Sequence, residues 1–390
     1  MFKPKLIRIT TVPISLEKLI SGQMAFMGNK GFEVSMVSSD FKDSDILSKK
    51  EHADFIPVNM TRRITPLADL RALYQLIDVF RRIKPSIVHT HTPKAGLLGM
   101  VAAKMAGVPI RLHTVAGLPL MEATGPKRKL LEAVEKITYA CATFVYPNSG
   151  NLKDFIIASG FSKPEKLKVI GNGSSNGINT EEFKRAPQID EHANAIKAQY
   201  RIKEEDFIFV FIGRLVKHKG IEELVSAFSV LNKKDQNVKL LLVGPQEEKL
   251  DPLSSGCLRE IEENPAIIAV GYQTDVKPYL SLSKALVFPS YREGFPNVPM
   301  QAGCFDLPCI VTNINGCNEI IVNGENGLII PVKDRDALLS AMETLYLDKT
   351  LYPKMASIAR EMIVKRYDQE RVWQLILEEY KKHLKNNGVV

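Results

Sequence analysis

Short apolar runs alternate with helical segments along this whole chain, and the alternation breaks once and then resumes. No other feature limits the fold as sharply. Before the break, KLIRITTV (5–12), FEVSMVSS (32–39), SIVHTH (86–91), PIRLHTV (109–115), TFVYPNS (143–149) and KLKVIGN (166–172) read as strands. Helices fall between them, near 16–30, at 66–84 and in KAGLLGMVAAKMAGV. After EEFKRAPQIDEHANAIKAQYRI the series resumes with FIFVFIG (207–213), VKLLLVG (238–244), AIIAV (266–270), ALVFPS (285–290) and PCIVT (308–312). Near-continuous apolar strands separated by helices predict parallel sheets covered on both faces, with right-handed crossovers. The expected class is α/β, with two doubly wound domains and a cleft between the carboxyl ends of their sheets. The expected boundaries are 1–190, 191–367 and a final amphipathic helix within 368–390, whose Val372, Leu375, Ile376 and Tyr380 recur at helical spacing.

In such sheets ligands bind beyond the carboxyl ends of strands, so the loops after strands are where chemistry is expected. In GRLVKHKG, Gly213 ends a strand, and Arg214, Lys217, His218 and Lys219 crowd the turn before Gly220 and a helix. Concentrated positive charge there suits a phosphate, with a guanidinium giving paired hydrogen bonds and an ammonium a point charge. A solvated basic turn fits this stretch equally well. In YREGFPNVPMQAG, Pro296 and Pro299 suit a helix's first turn, leaving Glu293 on the preceding loop and Gln301 on the helix. A carboxylate and an amide can both bind hydroxyls. The competing reading makes Glu293 a helix cap and Gln301 a surface residue.

Composition narrows the setting. The chain is 45% hydrophobic and 25% charged, with no biased tract, and no apolar run approaches the ~18 residues of a membrane-spanning helix. The basic N-terminus is interrupted by Arg8 and has no small-residue cleavage site, so it reads as a first strand rather than a signal peptide. Five cysteines without a Cys-x-x-Cys pair suit buried thiols in a reducing cytoplasm. Residues 1–190 carry 27 Lys and Arg against 17 Asp and Glu, a net of +10, while residues 191–390 carry 25 against 27, a net of −2. A basic first half suggests an anionic partner: nucleic acid, a phosphorylated substrate or an acidic membrane face. No aromatic and basic platform for nucleic acid is present. TRRITPLADLRALYQLIDVFRRIKP and GPKRKLLEAVEKI set basic residues beside apolar ones, which suits peripheral contact with anionic lipid headgroups; an ordinary core-facing helix fits the pattern about as well. The Asp-Ser-Asp of residues 43–45 has the spacing of a metal-holding pair, but no strand leads into it, and it is rejected as a metal site.

Taken in order, VHTHTPKAGLLGMVAAKMAGVP, VIGNGSSNGINTEEF, GRLVKHKG, PSYREGFPNVPMQAG and NGENGLIIP resemble the family 4 retaining glycosyltransferases of the GT-B fold, in their bacterial capsular and surface-polysaccharide branch. The resemblance spans nearly the whole chain. It implies two Rossmann-like domains, the first binding acceptor and the second binding nucleotide-sugar, with the last helix crossing back to the first. It implies that Arg214 and Lys219 hold a donor diphosphate and that Glu293 touches the donor sugar. Gly213, Gly294, Phe295, Pro296 and Asn297 would line the donor. Gln301 stands where the family has a second acid that binds ribose. His91 and Gly117 are the acceptor-side candidates. Many relatives carry a histidine where this chain has Ala116; His113, three residues earlier, falls on the opposite face if the strand runs on and is expected in the core or at the sheet edge. The loop TTVPISLEKL also departs from the Gly-Gly loop of relatives.

The resemblance further implies transfer with retention from a UDP-sugar, favoured over a GDP-sugar, to a polyprenyl-diphosphate-linked sugar. No metal ligands from the protein and no cofactor beyond the co-substrate are expected. A nucleotide-sugar 2-epimerase of the same architecture and a non-catalytic nucleotide-binding relative are the rival readings.

Overall fold

The computed structural model describes residues 3–121, 123–247 and 251–389. The chain forms two compact units, Met1–Gly177 with Gln369–Val390, and Ile178–Asp368. In the first unit β1 (Lys5–Ile9), β2 (Glu33–Ser38), β3 (Asp54–Pro57), β4 (Ile87–His91), β5 (Ile110–Val115) and β6 (Phe144–Pro147) form one parallel sheet in the order β3-β2-β1-β4-β5-β6. In the second, β7 (Phe207–Ile212), β8 (Val238–Val243), β9 (Ile267–Gly271), β10 (Ala285–Phe288), β11 (Cys309–Thr312) and β12 (Gly327–Ile330) repeat that winding as β12-β11-β10-β7-β8-β9. Each sheet therefore starts in the middle, winds to one edge, then returns to the middle and winds to the other. The order reverses between β1 and β4 and between β7 and β10. Loops leaving such a reversal diverge and open a crevice for ligand.

The strands are apolar because both faces of each sheet are covered. Phe209, Val210 and Phe211 of β7 and Leu240, Leu241 and Leu242 of β8 are fully buried in succession, so no in–out alternation survives. The helix Gln369–Asn386 packs Val372, Ile376, Leu377, Tyr380 and Leu384 against Leu6, Met24, Phe32 and Leu112 of the first unit.

Several elements differ from the sequence expectations. The helix near 16–30 is two helices, Pro13–Leu19 and Gln23–Asn29. Gly22 interrupts them at φ 83°, and a side chain there would meet the Trp373 ring at 2.5 Å. Residues 166–172 do not form a strand. A 3-10 turn at Pro164–Lys166 leads to a single bridge, Val145 to Leu167, and Gly171 and Gly173 then take positive φ. The edge strands β3 and β12 were not anticipated; each has only four residues, and the two middle ones are only half-buried. The first crossing between units falls at Gly177–Ile178, ahead of the expected 190. Ile178 donates its N–H to Tyr367 O at 2.8 Å and lies in the second core, and Thr180 Oγ1 donates to Asp368 at 2.6 Å.

Candidate functional site

In the second unit the reversal point brings together the two loops that the sequence singled out. The turn after β7 runs from Gly213 through a 3-10 turn, Lys217–Lys219, to Gly220, where the helix Ile221–Lys234 begins. The loop after β10 runs from Pro289 to Pro296, where the helix Asn297–Cys304 begins. Backbone contacts fix one against the other. Tyr291 N–H donates to His218 O at 2.8 Å, and a Cβ on Gly220, which has φ +72°, would lie 2.2 Å from Pro289 O. Only glycine tolerates both that conformation and that approach. The loop after β11 closes the other side: Thr312 Oγ1 donates to Ser290 O, and Asn315 Nδ2 donates to Gly294 O.

Lys219 and Glu293 meet here in a close ion pair, each side chain only 15% exposed. The fully buried Ser290 donates its hydroxyl to the same carboxylate oxygen at 2.8 Å. Lys219 Nζ also lies 5.4 Å from the centre of the Phe288 ring. The helix Asn297–Cys304 is capped by Pro296 with no side-chain bond, so Glu293 is not a helix cap. It is a carboxylate held in place by a hydroxyl and an ammonium. Arg214 is more open: its side chain is 48% exposed and its guanidinium donates to Glu247 at 2.6 Å. Arg214 and Lys219 thus each rest on a carboxylate that an incoming anion could replace. Cys317 is buried beside this pair; burial, reinforced by the Glu293 charge, holds its thiol well above its ordinary pKa, so it is an inert packing group.

The remaining donor candidates line the same chain segments. Gly213 ends β7, while Gly294 and Phe295 are half-buried, Pro296 is buried and Asn297 is exposed. Phe295 packs its ring 5.5 Å from Tyr367. Gln301 lies in the second turn of its helix, half-buried, and its side-chain amide makes no hydrogen bond with a described residue.

In the first unit His91 closes β4 and is 2% exposed. Its Nε2 accepts from Arg8 Nε at 3.2 Å, and burial with the Arg8 and His113 charges holds the ring well below its ordinary pKa. Sequence reasoning did not single out Arg8. Fully buried, it also donates to Tyr380 Oη at 2.8 Å and Gln23 Oε1 at 2.6 Å. An arginine in an otherwise apolar first strand was its signal. His113 is a core residue: its Nδ1 pairs with Thr90 Oγ1 at 2.8 Å, and it packs under Gly96. Gly117 lies two residues beyond β5 and is half-buried. Asp43 and Asp45 open the helix Ser44–Glu51, and among the described residues no group of His, Cys, Asp and Glu is placed to hold a metal.

Residues 193–362 match the family model described as Glycosyl transferases group 1, and residues 20–173 match that of the Glycosyl transferase 4-like domain. The capsular polysaccharide biosynthesis glycosyltransferase CapM of Staphylococcus aureus is 34% identical over 388 residues, 99% of each chain. This chain belongs to the family 4 glycosyltransferases. The Escherichia coli UDP-Gal:alpha-D-GlcNAc-diphosphoundecaprenol alpha-1,3-galactosyltransferase is 28% identical over 88% of this chain and 89% of its own. Among solved structures, HepE of Anabaena, in complex with UDP, superposes with a TM-score of 0.78 at 17% identity, covering 98% of this chain and all of that one. The two matching sheets are those of the GT-B fold.

Proposed function

We propose that this glycosyltransferase moves a sugar, with retention of configuration, from a UDP-sugar to a lipid-diphosphate-linked sugar in bacterial surface-polysaccharide assembly. One observation carries the reading: Lys219 and Glu293 are paired and mostly desolvated where the second sheet reverses its order. Breaking a sugar–phosphate bond builds negative charge on the diphosphate and positive character on the anomeric carbon. Lys219 and Arg214 offset the first, and in a poorly hydrated site they act strongly. When Lys219 turns to phosphate, Glu293 is released to accept hydroxyls of the donor sugar, with Ser290 still fixing its orientation. Gln301 binds the ribose as a neutral amide. His91 and Gly117 stand on the acceptor side. Retention follows if the acceptor hydroxyl enters on the leaving-group face, where a departing phosphate oxygen takes its proton; the absence of a base at Ala116 agrees with this.

The preference for UDP and for a lipid-linked acceptor is supported by the name of the Escherichia coli relative. Peripheral attachment at the cytoplasmic face is supported by the start of the helix Pro66–Ile83. There Ile64, Leu67, Leu70 and Tyr74 are all at least 49% exposed, beside Arg62, Arg63 and Arg71. No helix among the described residues is long and apolar enough to cross a membrane. A screen of UDP- and GDP-sugars that reads released nucleoside diphosphate, with and without an undecaprenyl-diphosphate sugar, tests the proposal. Acceptor-dependent release from a UDP-sugar is expected. Conversion of the sugar without acceptor would instead identify an epimerase.

A further inference from the structure

A small cavity in the first unit lies at the carboxyl ends of β4, β5 and β6. His91, Thr114, Asn148 and Ser175 are in its wall, and its volume is about 10 Å³. That is close to the roughly 10–15 Å³ needed to hold one water. Three of these residues carry a buried polar atom without a partner among the described residues: His91 Nδ1, Asn148 Oδ1 and Ser175 Oγ. Leaving three such atoms unpaired in one place is strongly unfavourable, and native interiors rarely do so.

The hydrogen-bonding roles are set by the surroundings. Arg8 donates to His91 Nε2, so the proton of the neutral ring is on Nδ1 and that atom is a donor. Burial and the neighbouring charges keep the ring neutral. Asn148, in the cavity wall, donates through Nδ2 to Ala116 O at 3.4 Å, which leaves Oδ1 as its unpaired acceptor. Ser175 can do either. A metal ion or an ammonium would meet the His91 N–H. A carboxylate or phosphate would meet Asn148 Oδ1. An apolar group would leave all three atoms unpaired. A hydroxyl group answers every one of them.

We propose that this cavity is a binding site for a single hydroxyl group, from a trapped water or from a sugar, which accepts from His91 Nδ1–H, donates to Asn148 Oδ1 and bonds Ser175 Oγ. Asn148 O already accepts from Ser174 N–H at 2.8 Å, so the bound hydroxyl ties residues 174–175 to β4 and β6 a second time. The sugar source rests on the glycosyltransferase reading; the water source does not.

Crystals of the full chain grown without sugar, and the same crystals soaked in concentrated galactose, distinguish the sources. An isolated density peak within about 3.2 Å of His91 Nδ1 and Asn148 Oδ1, unchanged on soaking, assigns water. A peak that becomes continuous with a sugar ring on soaking assigns a sugar hydroxyl. An empty cavity in both overturns the proposal. Nitrogen-15 NMR of the histidine rings gives an independent check: His91 is expected to be neutral with its proton on Nδ1 at pH 7, and a proton on Nε2 alone would also overturn it.

Discussion

Lys219→Ala tests the central ion pair. It leaves the Glu293 carboxylate mostly out of water, with one hydrogen bond from Ser290 and no counter-charge. Breaking a fully buried pair by removing one partner costs roughly 3–5 kcal/mol. The 15% exposure of each side chain and the remaining Ser290 bond reduce this, so a loss of about 2–3 kcal/mol is expected. At roughly 2–4 °C per kcal/mol for a domain of this size, the thermal midpoint should fall by about 4–12 °C. Glu293→Ala should destabilise through the stranded ammonium, and Lys219→Ala/Glu293→Ala by less than the sum, with a coupling of about 1–2 kcal/mol. The assay is dye-monitored melting of the four proteins at low and high salt. Release of nucleoside diphosphate should fall by roughly 100- to 1000-fold in each single variant, in keeping with the loss of a preorganised charge at a reacting centre. If Lys219→Ala melts with the wild type and the double variant is simply additive, the pair is solvated. The explanation of the site by a desolvated ion pair would then be wrong.

Gly220→Ala should force the turn away from Pro289 O and lower turnover at least tenfold with both charged residues intact; unchanged kinetics would show that the turn does not position Lys219. Gln301→Glu should tighten UDP binding severalfold by adding a charge-assisted bond, and Gln301→Ala should weaken it, as read by calorimetry. Burial raises the Glu135 carboxyl to about 7. The folded state therefore holds this proton more tightly than the unfolded chain, and stability falls as pH rises from about 4.5 to about 7. Glu135→Gln should raise the thermal midpoint at pH 8 and leave it nearly unchanged below pH 4.5. Leu67→Asp with Leu70→Asp should reduce sedimentation with anionic vesicles at low salt; undiminished sedimentation would count against that face as the membrane contact.

Much of this was legible in the chain because its chemistry is local. Buried parallel strands announce themselves as short, mostly apolar runs, most plainly FIFVFI and VKLLLV, and ten of the twelve strands among the described residues were read in this way. The turn 213–220 and the loop 289–296 were legible because their glycines, prolines and charges are adjacent in sequence. What could not be read was pairing at a distance. Lys219 and Glu293 are 74 residues apart, and nothing local says that their charges touch or that Ser290 completes the set. The break at Gly22 has Trp373, 351 residues further along the chain, packed against it. The role of Arg8 depends on His91, Gln23 and Tyr380, none of which is its neighbour.

That last pairing has a consequence for how the polypeptide is made. Arg8 leaves the ribosome 372 residues ahead of its partner Tyr380. At about 5–20 residues per second, the nascent first sheet waits on the order of 20–70 s with a guanidinium facing an uncovered apolar surface. The second unit, being contiguous, can finish folding first. A stop within residues 369–380 would therefore leave Arg8 without Tyr380 and strip the first sheet of the helix that covers it, so the first unit cannot be completed before the second has been made.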